Sequence, residues 1–465
     1  MTFTTINKAI MDTSSKKELT IDRRKFVKGS ALMTGALMAG GLPLSASAFV
    51  NPKAEKLKLA LVGCGGRGTG AAVQALNADP DVELVAMADA FSDRIEQSLT
   101  HIKETDELKA DRKQNIKVEP DMMFSGFDAY KKAIAVADVV ILATPPGFRP
   151  YHLEEAVNGS KHIFCEKPLA TDGAGIRKVM ELLPKVKEKK LNVVVGLQRH
   201  YQNNYRTIIK RIHDGEIGDI TSGQVYWNSD GVWVRSRAEL LKSNPKLTEL
   251  EYQMRNWYYF NWLCGDHIVE QHIHNIDVFN WAKGSYPVQA QGMGGREVRI
   301  DKDHGEIFDH HYVEFQFEDG SIMNSQCRHI KNCLSNVSET IVGTKGKVQL
   351  SGDGKGSISD LKGNSIYRHR GMDDPNPYQV EHDELFASIR SGGQINDLEN
   401  GAKATLTAIL GRYATYSGQM VTMDEALNSS IQLMPAVMDW DSKPPVMPLE
   451  NGYYPVAVPG QTKVV

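Results

Sequence analysis

Leu57-Lys58-Leu59-Ala60-Leu61-Val62-Gly63-Cys64-Gly65-Gly66-Arg67-Gly68 is the stretch on which the fold turns. Its first six residues are almost continuously apolar, the mark of a strand buried on both faces of a parallel sheet. The G-x-G-x-x-G run behind them leads directly into a helical stretch from Thr69 to Ala78. A dinucleotide pyrophosphate needs that order. Gly63 permits the tight turn, Gly65 lets the backbone approach the phosphates, and Gly68 allows close helix packing, with Gly66 and Arg67 completing the loop at a helix N-terminus. In a chain with 40 glycines the motif alone is weak. Asp89 strengthens it, standing about twenty residues on and just past a second apolar run from Glu83 to Ala88. A carboxylate there accepts hydrogen bonds from ribose hydroxyls and repels a 2'-phosphate, so NAD is expected rather than NADP.

Further apolar runs at 138–143, 162–165 and 192–196 alternate with helical stretches at 150–159 and 173–189. That alternation predicts an α/β fold with a doubly wound parallel sheet over residues 57–200. Beyond residue 200 the pattern changes. Helices over 203–214 and 266–282 are mixed with alternating β-branched and aromatic runs at 220–227, 309–317, 321–328, 336–342 and 346–350. Glu318-Asp319-Gly320 and Thr344-Lys345-Gly346 supply tight turns. A second α/β domain with a mainly antiparallel open sheet is expected over 201–442, with helices at 380–392 and 399–418 and an extended tail over 443–465.

With 465 residues, 41% of them hydrophobic and 24% charged, the chain can bury the cores of about two domains. A net charge of -3 and the lack of a basic stripe argue against a nucleic-acid partner. Near the N-terminus Arg23-Arg24-Lys25-Phe26 precedes a weakly apolar run from Gly29 to Leu44 and a small-x-small site, Ala46-Ser47-Ala48. The run is short for a bilayer span and broken by glycines and Pro43, so no stable membrane anchor is expected. Paired arginines before such a run resemble a twin-arginine export signal over residues 1–48, which predicts a periplasmic protein, with 49–56 as linker. The five cysteines are scattered, and buried thiols are expected rather than disulfides.

Two more segments carry a family resemblance. Ala143-Thr144-Pro145-Pro146 with His152, followed by Lys161-His162-Ile163-Phe164-Cys165-Glu166-Lys167-Pro168-Leu169-Ala170, resembles the paired signatures of the glucose-fructose oxidoreductase, inositol dehydrogenase and rhizopine-catabolism family (Gfo/Idh/MocA) over about residues 57–350. The resemblance implies a Rossmann domain followed by an α/β domain whose open sheet serves oligomer contacts, hence a homo-oligomer, dimer or tetramer. It sets Thr144, Pro145, Pro146, His152 and Glu166 beside the cofactor and Lys167 by the nicotinamide and the substrate hydroxyl. In Gly196-Leu197-Gln198-Arg199-His200-Tyr201 it gives Gln198 to the nicotinamide ribose and Arg199 and Tyr201 to the substrate.

The family also carries an Asp-x-Gly-x-His-x-x-Asp helix. Here the run is Glu270-Gln271-His272-Ile273-His274-Asn275-Ile276-Asp277, with Glu for the first Asp and His272 for the Gly. On one helix, positions 270, 274 and 277 share a stripe beside Val269, Ile273 and Ile276. Taken alone, a Glu/His pair at this spacing is more often a surface link than a catalyst. In this context it predicts His274 as acid-base residue, Glu270 as its orienting carboxylate and Asp277 in the substrate site. His267, Glu270, His272 and His274 are also potential metal ligands, but His272 and His274 cannot share a helix face and no H-E-x-x-H is present, so no metal is expected. Trp257, Tyr258, Tyr259 and Trp262 lie just upstream; Tyr258 is the candidate sugar-facing ring, against the commoner fate of core packing.

The chemistry expected is hydride transfer between NAD and a secondary alcohol of a sugar, glycoside or polyol. His274 takes the hydroxyl proton, Lys167 stabilises the alkoxide, and NAD is held tightly and recycled. An NAD-dependent glycoside hydrolase resembling glycoside hydrolase family 109, and a non-catalytic NAD-binding protein, remain as alternatives.

Overall fold

Where parallel strands end determines where a cleft opens, and the apolar runs of the first half all end at one edge. The computed structural model describes residues 55–435 and 438–465, so the twin-arginine segment and most of the linker lie outside the described residues. Strands β1 (Leu57–Val62), β2 (Val82–Asp89), β3 (Met123–Ser125), β4 (Val139–Leu142), β5 (His162–Cys165) and β6 (Val193–Val195) form one parallel sheet in the order β3-β2-β1-β4-β5-β6. The order reverses at β1, so the crevice of this doubly wound sheet opens between β1 and β4. Helices α1 (Gly66–Ala78), α2 (Ser92–Glu104), α3 (Ala129–Ala135), α4 (Arg149–Asn158), α5 (Gly173–Met180) and α6 (Leu183–Glu188) connect the strands. The helix expected over 173–189 is two helices, because Pro184 starts a new first turn. Strand β3, only three residues at the sheet edge, left no legible run.

After α7 (Asn203–His213) the chain enters a nine-stranded sheet through β7 (Ile220–Ser229). Helices α8 (Arg237–Ser243), α9 (Glu249–Arg255), α10 (Asn261–Cys264), α11 (His267–Glu270) and α12 (Ile273–Lys283) follow. Then come β8 (Gln289–Gly295), β9 (His310–Gln316), β10 (Ile322–His329), β11 (Asn336–Gly343), β12 (Gly346–Ser351), β13 (Gly356–Asp360) and β14 (Ser365–His369). The sheet order is β14-β13-β12-β11-β7-β10-β9-β8-β15, with β15 the short strand Val421–Thr422. Only β7 and β10 run parallel; every other neighbouring pair is antiparallel, as the alternating sequence implied. Strand β8 lacks β-branched residues yet pairs with β9, because its Gly292 admits a backbone approach that a Cβ would block at 2.5 Å from the Tyr312 carbonyl oxygen.

Two helices blur a boundary at residue 200. Helix α13 (Pro377–Ser391) returns to the parallel sheet, where Arg390 pairs with Asp79 at 2.6 Å and Gln379 donates to the Gln74 carbonyl at 3.0 Å. Helix α14 (Leu398–Ser417) is buried on nearly every side. Its Gly401 packs against Leu169 and Val195 of the first sheet region, and its Gly411 against Phe315 of the second. A helix buried on nearly every side belongs between two layers, which is where α14 sits, its buried Thr405, Thr407 and Thr415 hydroxyls bonding back to backbone carbonyls of the same helix.

Candidate active site at the carboxyl edge of the parallel sheet

The glycine turn follows β1 as its residue types require. Gly63 has φ +99° and abuts Ala143 and Thr144, so a Cβ there would lie 2.5 Å from their backbone. A Cβ at Gly68 would meet the Gly63 oxygen, which is the close helix-to-strand approach that only glycine permits. Gly65 and Gly66 face open space. Asp89 is fixed by two amides, Cys64 N–H to Oδ2 at 2.7 Å and Phe91 N–H to Oδ1 at 3.0 Å. Burial raises its pKa, against the pull of those amides. A cavity of about 350 Å3 opens here, lined by Gly63, Gly65, Gly66, Arg67, Asp89, Thr144, Pro145 and His152 among others. His152 hydrogen-bonds Thr144 Oγ1 at 3.1 Å and stacks on Tyr130; burial, then the Arg149 charge, push its pKa down to about 3. Pro146 is buried in the turn behind this wall.

The sheet order sets a direction along the edge. From Asp89 on β2 it runs through the glycine turn on β1 and Thr144 after β4 to Lys167 after β5 and Gln198 after β6. A dinucleotide whose adenosine ribose met Asp89 would have Lys167 and Gln198 on its nicotinamide side. Gln198 carries a buried, unpartnered Oε1. Glu166 lies 3.0 Å from Arg67 Nε, and a Cβ at Gly196 would come 2.8 Å from its carboxylate. Arg149, fully buried, donates to the Pro168 carbonyl at 3.3 Å and the Leu142 carbonyl at 2.7 Å, fixing the loop that carries Lys167.

Lys167 Nζ donates to Glu270 Oε1 at 2.8 Å and to the Glu270 carbonyl at 2.5 Å. The expected Glu270 to His274 pairing is therefore corrected: the carboxylate is taken by the ammonium. The helix also breaks, since α11 ends at Glu270 and α12 starts at Ile273, and with it goes the stripe through 270, 274 and 277. His274 is buried with Nδ1 unpartnered and its ring 6.0 Å from that of Trp227. Burial, then the nearby Lys167 and Arg199 charges, hold its pKa well below the usual imidazole value, so the ring is neutral.

The expected substrate residues are otherwise engaged. Arg199 is buried in an ion pair with Glu339, which also accepts from Tyr205 at 2.9 Å and Asn275 at 2.6 Å. Tyr201 donates to Asp397 at 2.8 Å from within the core. Asp277 is buried against His200 Nε2 at 2.7 Å and Asn400 at 3.2 Å. Tyr258 is 2% exposed and packs with Tyr259 and Trp262 in a third apolar cluster, so core packing prevails. His272 points away from the cleft, 2.8 Å from Ser325 Oγ. His267 joins Asp266 and His311 rather than Glu270 or His274.

The cavity has a second wall that sequence reasoning missed: Trp233, Arg235, Met254, Arg255 and Trp257, from the segment after β7. Arg255 lies 3.9 Å over the Phe91 ring and 3.2 Å from Asp93, tying this wall to the loop after Asp89. Its only sequence signal is a density of Trp and Arg over residues 233–257.

Residues 57–197 match the family model described as oxidoreductase family, NAD-binding Rossmann fold (Gfo/Idh/MocA). Over 282 residues the chain is 24% identical to inositol 2-dehydrogenase of Rhizobium meliloti, covering 59% of this chain and 77% of that protein. Over 252 residues it is 25% identical to a glycosyl hydrolase family 109 protein of Streptomyces coelicolor, covering 49% of this chain and 48% of that protein. Levoglucosan dehydrogenase in complex with NADH and levoglucosan superposes with a TM-score of 0.61 at 17% identity, over 79% of this chain and all of that one. Aldose-aldose oxidoreductase from Caulobacter crescentus gives 0.60 at 18%, over 79% and 100%. These likenesses establish the fold.

Proposed function

We propose, from the match of residues 57–197 to the NAD-binding Rossmann model of the Gfo/Idh/MocA oxidoreductases, that the chain transfers hydride between NAD and a secondary alcohol of a sugar, glycoside or polyol. The observation that carries the reading is the Lys167–Glu270 pair at the end of β5, with the neutral, unpartnered imidazole of His274 on the adjoining helix. The residues present fit the cofactor: open space at Gly65 and Gly66, and an amide-fixed Asp89 at the ribose end. NAD, when bound, supplies the hydride acceptor. Lys167 holds the substrate oxygen by its ammonium and stabilises negative charge as the hydroxyl proton leaves. His274 receives that proton at Nε2, since Nδ1 is sealed off. Glu270 positions Lys167 rather than His274.

The wall of Trp233, Arg255 and Trp257 across the cavity supports tight retention of NAD. Retention suits an exported enzyme, and the resemblance of the Arg23-Arg24 segment to a twin-arginine leader supports our proposal of a periplasmic location. Tightly held NAD must be restored in each cycle, by a second sugar or by the same substrate after bond cleavage. The latter is the hydrolase reading, favoured by the similarity to a glycosyl hydrolase family 109 protein. We further propose a homo-oligomer built on the open sheet. The discriminating experiment is to purify the mature protein, quantify bound nicotinamide, and offer free sugars and aryl glycosides separately without added cofactor. Reduction of the bound cofactor by a free sugar, reversed by a keto-sugar, supports the oxidoreductase. Aryl alcohol release with no lasting reduction identifies the hydrolase, and neither outcome with either substrate class removes both.

A further inference from the structure

At the start of α11, Asp266 and two imidazoles converge in the core. Asp266 Oδ1 lies 2.9 Å from His267 Nδ1 and 3.3 Å from His311 Nε2. All three side chains are 0% exposed, and the three donor atoms lie within 4.8 Å of one another. The separations are close to hydrogen-bond range, yet neither His267 Nδ1 nor His311 Nε2 has a well-formed hydrogen-bond partner. Close spacing of buried, unpartnered donors is expected of ligands sharing an ion: bonds of about 2.0–2.1 Å in a tetrahedron place neighbouring ligand atoms roughly 3.3 Å apart.

The surroundings prepare the three groups. Asp266 Oδ2 accepts from the Tyr416 hydroxyl at 2.5 Å and the Phe308 amide at 3.0 Å, which leaves Oδ1 for the nitrogens and the His267 amide. His311 Nδ1 meets Thr415 Oγ1 at 2.9 Å, an outer contact that fixes the ring and frees Nε2. Asp266 itself has φ +72° and ψ 162°, a conformation nearly confined to glycine, kept where the surrounding structure demands it. His329, with Nε2 buried and unpartnered, stacks on His267 at 4.3 Å between ring centroids.

We propose that Asp266, His267 Nδ1 and His311 Nε2 bind a divalent transition metal of the zinc type. Two imidazoles and one carboxylate suit zinc, whereas calcium and magnesium require an oxygen shell. A pocket closed to solvent makes the ion structural. It ties β9 to the start of α11, whose last residue, Glu270, holds Lys167. The ion is thereby a positioning device for the catalytic lysine, and its presence is measurable without turnover.

The test uses the purified full chain, dialysed and desalted, with metal content read by mass spectrometry. About one zinc per chain is expected, falling below about a tenth in Asp266→Asn and His311→Ala. Cobalt-loaded protein should show visible ligand-field absorption, and a strong chelator should lower the melting temperature of the wild type, with zinc restoring it. Because either variant can fail to fold, the wild-type arm decides by itself. The proposal is overturned if natively folded wild type, incubated with zinc and desalted, keeps no stoichiometric metal and melts unchanged with chelator. It is equally overturned if folded His311→Ala keeps the full equivalent.

Discussion

Lys167 and Glu270, 103 residues apart, join the two sheet regions: the ammonium on the loop after β5 is bonded to both the side chain and the carbonyl of the last residue of α11. Replacing the lysine removes the charge that stabilises an alkoxide, whereas replacing the glutamate leaves the carbonyl contact in place. Lys167→Met should lower turnover by on the order of a hundredfold with NAD still bound, and Glu270→Gln by roughly tenfold. Steady-state kinetics beside measured nicotinamide content check both. An equal loss in the two variants would contradict the division of roles.

His274 is held neutral by burial and then by the Lys167 charge, so its folded pKa lies below the usual imidazole value. A base must be unprotonated to act, and a lowered pKa keeps it so as pH falls. The acid limb of kcat/KM should therefore lie below about pH 6.5, and His274→Ala should cost about a hundredfold or more. A limb at or above that pH which persists in the alanine variant would place the base elsewhere.

Asp89 presents a fixed carboxylate at the ribose end of the cavity. NAD should bind better than NADP by roughly 2 to 4 kcal/mol, from hydrogen bonds to the ribose and repulsion of the 2'-phosphate. Titration of the stripped protein with each cofactor measures the gap, which Asp89→Ala should narrow. Equal affinities in the unmodified protein would remove the assignment.

Arg255 bridges the outer wall to Phe91 and Asp93. The ion pair is partly exposed and contributes little, so the cation over the ring and its packing should dominate. We expect Arg255→Ala to release NAD about tenfold faster in a gel-filtration or stopped-flow assay, about 1.4 kcal/mol if the association rate is unchanged. Release as slow as in the wild type would make this wall irrelevant to retention.

Arg23 and Arg24 lie outside the described residues, and their role rests on sequence. Changing both to Lys should leave unprocessed precursor in the cytoplasm of an expressing bacterium. Normal processing and fractionation of that variant would exclude twin-arginine export.

The sequence by itself determined the parallel sheet, the glycine turn, Asp89 and the loop bearing Lys167, because each depends on residues close along the chain. An apolar run makes a buried strand wherever it falls, and Gly68 answers a clash with Gly63 in its own turn, although the backbone that Gly63 admits is that of Ala143 and Thr144 after β4. The antiparallel character of the second sheet was legible for the same reason, through period-two burial on β9 and β10. Tertiary structure alone decided who pairs with whom. Spacing on a helix assigned Glu270 to His274, but faces follow spacing only while the helix continues, and this one breaks after Glu270 beside a lysine from another sheet. Arg199 found Glu339 across 140 residues, turning an expected substrate contact into a buried ion pair. The outer cavity wall and the convergence of Asp266, His267 and His311 have the same origin: their partners are brought close by packing, and nothing local in the chain encodes that proximity.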